Sequence, residues 1–71
     1  MSLLFKTREE KMAAYIEKII NDLCERYRLS LKDAKKVVRK HGTLVARSFD
    51  ANTSSNNVAS ALAVRVDMER R

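Results

Sequence analysis

Between Met12 and Tyr27 the apolar residues fall at Met12, Ile16, Ile19, Ile20, Leu23 and Tyr27. That i, i+4, i+7, i+8 spacing marks one face of an α-helix, and few other structures satisfy it. Ala13 and Cys24 widen the stripe, while Lys11, Glu17, Lys18, Asp22, Glu25 and Arg26 fall elsewhere. Thr7 stands where an N-cap is needed, and Glu10 follows at the capping-box spacing. Glu9 and Glu10 suit the positive end of the helix dipole. A helix over about residues 8–28 follows, some 30 Å long at 1.5 Å per residue.

A rod of that length needs covering, and 71 residues leave little chain with which to do it. The length allows one small domain over residues 1–71. A chain this short buries only about 60% of its unfolded surface. The single cysteine, Cys24, excludes an internal disulfide framework and a cysteine-based zinc site. Closely packed helices or self-association remain as sources of stability, and a twofold dimer is the expected form. With 45% hydrophobic residues and no proline, the composition is that of a folded chain. No apolar run approaches the roughly 18 residues of a membrane span. Residues 1–5 are too short for a signal-peptide core, so a cytoplasmic setting is expected. Leu3, Leu4 and Phe5 are expected either to fold back over the first helix or to meet a partner.

Ser30 caps a second predicted helix, from Leu31 to about His41, with Leu29 and Ala34 at the two ends of a hydrophobic staple. The chain's one glycine, Gly42, stands where a left-handed C-cap residue would end that helix. Thr43 is the candidate cap of a short third helix carrying Leu44, Val45 and Phe49. Residues 50–57 read as a loop. The segment 58–71 carries two patterns. Val58, Leu62 and Val66 fit a helix, and so does its alanine content. Leu62, Val64, Val66 and Met68 also alternate as a strand would. Helix is the expected state, because alanine is depleted in strands. The predicted fold is therefore all-α: a small three- to four-helix domain whose long first helix packs on a basic amphipathic second one.

The net charge is +6, and it is concentrated. Residues 26–47 hold eight basic side chains against one acid, Asp33, a local excess of +7. On a helical wheel Lys32, Lys35, Lys36, Arg39 and Lys40 share an arc of roughly 140°. Leu31, Ala34, Val37, Val38 and His41 fall on the opposite arc. Such a flank can serve solubility alone. Its near-lack of acid leaves like charges to repel at i, i+4 spacing, and this favours an anionic partner. The five cations are the candidate nucleic-acid-binding residues, acting through backbone phosphates. They lack interleaved aromatic rings for stacking and the Asn or Gln that would read adenine. A helix-turn-helix built from the second helix, Gly42 and the third helix, with Arg47 and Ser48 as readers, is a further expectation.

Catalytic patterns are absent. His41 is the one histidine and shares the apolar arc, where a packed or capping role is expected. Cys24 reads as a small buried hydrophobe. Tyr15 falls off the main stripe, either at an interface or exposed. No phosphate loop, dinucleotide fingerprint or zinc spacing occurs. The expected protein is a small, basic, non-enzymatic regulator without cofactor or metal that binds nucleic acid. The alternative is a protein–protein adaptor that uses its apolar C-terminal helix.

Overall fold

The computed structural model describes residues 7–69. Expectations about Leu3–Phe5, and about Arg70 and Arg71 at the end of the last helix, lie outside the described residues. Four helices follow one another: α1 (Arg8–Arg26), α2 (Leu31–Lys40), α3 (Gly42–Asp50) and α4 (Ser55–Glu69). There is no strand among the described residues, so the strand alternative for the last segment is settled in favour of helix.

α1 begins as its sequence predicts, with the Glu10 N–H donating to Thr7 Oγ1 at 3.2 Å. It ends at Arg26, two residues earlier than expected. Arg28 takes a left-handed conformation there (φ 55°), and the Leu29 N–H turns back to the Leu23 carbonyl. α1 packs most extensively against α4 and next against α2. Ile19 and Leu23 of α1 are fully buried. They meet Ala34, Val37 and Val38 of α2, Val45 of α3, and Val58, Ala59 and Leu62 of α4. Every helix thus contributes to one core, and none of its buried side chains among the described residues is aromatic.

Gly42 departs from expectation. It is the first residue of α3, and its φ is not positive. A single residue, His41 (φ −107°, ψ 37°), closes α2 and opens α3. Its N–H bonds the Val37 carbonyl, while its own carbonyl accepts from Val45 N–H. That bridge-region conformation suits a non-glycine residue, so no left-handed turn is needed. Thr43 lies inside α3 rather than capping it, and the α3 N-terminus has no side-chain cap. The one-residue connection also excludes a helix-turn-helix, whose turn takes three or four residues.

The left-handed position at the end of α3 belongs to Asn52 (φ 59°). The Thr53 N–H reaches the Ser48 carbonyl and the Asn52 N–H reaches that of Phe49, the two bonds of a Schellman motif. The expected loop over 50–57 is therefore shorter, because α3 runs to Asp50 and α4 starts at Ser55. Ser54 accepts from Asn57 N–H at that start.

Tyr15 is not the exposed ring that one of its two sequence readings expects. It is half-buried, its hydroxyl donates to the Thr53 carbonyl at 2.7 Å, and its ring meets Phe49 edge-on at 5.3 Å. Arg8 lies 5.4 Å over the Phe49 ring and pairs with Asp50. This cluster fastens the start of α1 to the α3–α4 turn.

Candidate functional site

The candidate site is the outward face of α2, and local chemistry sets it up. The Ser30 hydroxyl accepts from Asp33 N–H at 3.1 Å and fixes where the helix begins. That start determines the rotational phase of every later side chain. Ala34, Val37 and Val38 are buried, and Lys32, Lys35, Lys36, Arg39 and Lys40 are all exposed. The predicted division of the helix is therefore present, with one exception. Leu31, assigned to the apolar arc, is 56% exposed in the first turn, ahead of the packed region.

The ion pairs among the described residues join Arg8 to Asp50 and Lys40 to Glu69. Lys32, Lys35, Lys36 and Arg39 take part in none of these. Lys40 does: its ammonium donates to Glu69 Oε1 at 2.7 Å, tying the end of α2 to the end of α4. Sequence reasoning placed Lys40 with the open cations because Glu69 is 29 positions away. The Lys40 ammonium, through this hydrogen bond, holds the Glu69 carboxyl below the ordinary glutamate range. Both partners are exposed, so the pair adds little stability and exchanges readily.

His41 is mostly covered, as expected of the apolar arc. Its Nε2 is buried without a hydrogen bond, 3.8 Å from Glu69 Oε1. Cys24 is a free, half-buried thiol packed against the core. No group of three metal-ligating side chains occurs among the described residues, and no helix there is long and apolar enough to cross a membrane.

The four cations outside these pairs run from Lys32 to Arg39, about 10 Å along the helix axis. Lys35 and Arg39 occupy one flank, toward α1 and α3. Lys36 and Lys40 occupy the other, toward α4. Two i, i+4 pairs of like charge result among the four (Lys32 with Lys36, Lys35 with Arg39), each costing a few tenths of a kcal/mol. An anion laid along the helix relieves that repulsion. No protein-family profile, curated protein or solved structure matches the chain.

Proposed function

We propose that the protein is a small, non-enzymatic, regulatory nucleic-acid-binding protein. Its contacts are to backbone phosphates, through Lys32, Lys35, Lys36 and Arg39, with Lys40 joining by exchanging Glu69 for a phosphate. The observation that carries this reading is the exposed cationic face of α2, four of whose members form none of the ion pairs described above. Ten ångströms of B-form duplex present about three phosphates per strand, which matches the cations available. A cytoplasmic setting and a homodimer belong to the same reading.

The test is fluorescence anisotropy of a labelled duplex across a salt series. The expected log–log slope is about −3, at roughly −0.9 per phosphate contacted. Lys32→Glu with Lys36→Glu removes the binding and leaves the circular dichroism unchanged. Absence of binding at low salt, or a slope near zero, ends this reading.

One observation favours the adaptor alternative. α4 exposes Val64 (57%) and Met68 (66%), and Val64 shares a shallow groove with Tyr27, the residue that follows α1. A partner or a second copy on that face binds independently of salt. Leu62 is fully buried and Val66 half-buried, so charges there disturb the fold rather than a contact. Val64→Glu is the discriminating variant.

A further inference from the structure

Beside the Lys35–Arg39 flank of α2 lies an open groove of about 370 Å³. One wall is a row on α1, Met12, Ile16 and Ile20, each half-buried. This row belongs to the same stripe as Ile19 and Leu23, which are fully covered. The stripe is thus wider than the described part of the fold covers completely. The opposite wall is built by Val38 of α2 and Ala46 of α3, and Gly42 stands between them in sequence. Lys35 and Arg39 stand at the lip, both exposed, and no acid among the described residues lines the groove.

Gly42 requires a reason. It lies in a helix with no positive φ, where glycine costs stability and supplies no conformation that alanine lacks. A Cβ placed there meets nothing within 4 Å. Packing does not exclude a side chain at this position. Gly42 is one of the residues lining the groove, so a large side chain there is expected to narrow it.

We propose that the groove receives the apolar face of an acidic amphipathic helix from a protein partner. The α1 row from Met12 to Ile20 is about 12 Å long, or some two helical turns. A guest helix answers it with anchors at i, i+3 or i+4, and i+7. Lys35 and Arg39 then select carboxylates on the guest's flank. Charge argues against the chain's own residues 1–6, which carry Lys6 and no acid. It argues equally against nucleic acid inside the groove, where an apolar lining would desolvate phosphate without compensation. This site does not rest on the nucleic-acid reading.

The test is selection of a displayed random dodecapeptide library on the immobilised full-length protein. Enriched sequences are expected to pair apolar residues three and four apart with two or more acids. Gly42→Phe is expected to fold, as read by circular dichroism, and to weaken capture of those peptides at least tenfold. Gly42→Leu, a smaller plug, keeps the test decisive should the phenylalanine variant misfold. Lys35→Glu with Arg39→Glu turns the enriched set from acidic to basic. No enrichment, enriched peptides without acids, or equal capture by a folded Gly42 variant overturns the proposal.

Discussion

Tyr15 shows how much one side chain carries in a fold this small. It couples α1 to the α3–α4 turn through one hydrogen bond and one ring contact. Tyr15→Phe keeps the ring and deletes the bond, so a loss of about 1 kcal/mol is expected in urea unfolding at unchanged m. Burial raises the Tyr15 phenol above its usual value, so the fold favours the protonated form. Its contribution is complete below about pH 10 and declines as pH rises through the shifted value. Glu69 has the opposite sign. Its folded-state pKa is lowered by Lys40, so its contribution is present above the unfolded value of about 4.3 and is lost as pH falls through the lowered one. Urea midpoints should therefore drop below about pH 4.3 more in the wild type than in Glu69→Gln. The caps at Thr7 and Ser30 were legible in the sequence because donor and acceptor sit three residues apart. The Tyr15 contact spans 38 positions and the Lys40 contact 29, and no local pattern announces either.

At the scale of elements, α1 and α2 were readable because an apolar stripe and a side-chain cap agree in each. α3 and α4 were less so. Glycine is permissive, and Gly42 is equally compatible with ending one helix or starting the next. The left-handed positions fell instead to Arg28 and Asn52, and asparagine tolerates that region better than most residues. Gly42→Ala is therefore expected to raise the melting temperature, by an amount equivalent to a few tenths to about 1 kcal/mol. A left-handed Gly42 would give the opposite sign, so a thermal melt separates the two. In α4 the helical register places Val58, Ala59 and Leu62 inward, and the alternation that mimicked a strand survives as exposed Val64 and Met68. The division of α2 into basic and apolar faces was legible. The groove beside it was not, because it needs three helices at once.

For the whole molecule, the core is the controlling quantity. Among the described residues nine buried ones hold it, two of them alanine. A chain of this length is expected to have a folding free energy of about 4–10 kcal/mol. Leu23→Ala, at about 2–5 kcal/mol, takes away much of that margin. Its far-UV circular dichroism at 37 °C should show a substantially unfolded population.

The union of α2 and α3 at His41 has a consequence of its own. With one residue between them, the His41 backbone angles alone set the direction in which α3 leaves α2. Lys35 and Arg39 of α2 therefore stand both on the cationic face and at the lip of the groove that α3 walls. A polyanion along α2 and an acidic helix in the groove draw on the same two cations, so each is expected to weaken the other's binding, and by the same factor.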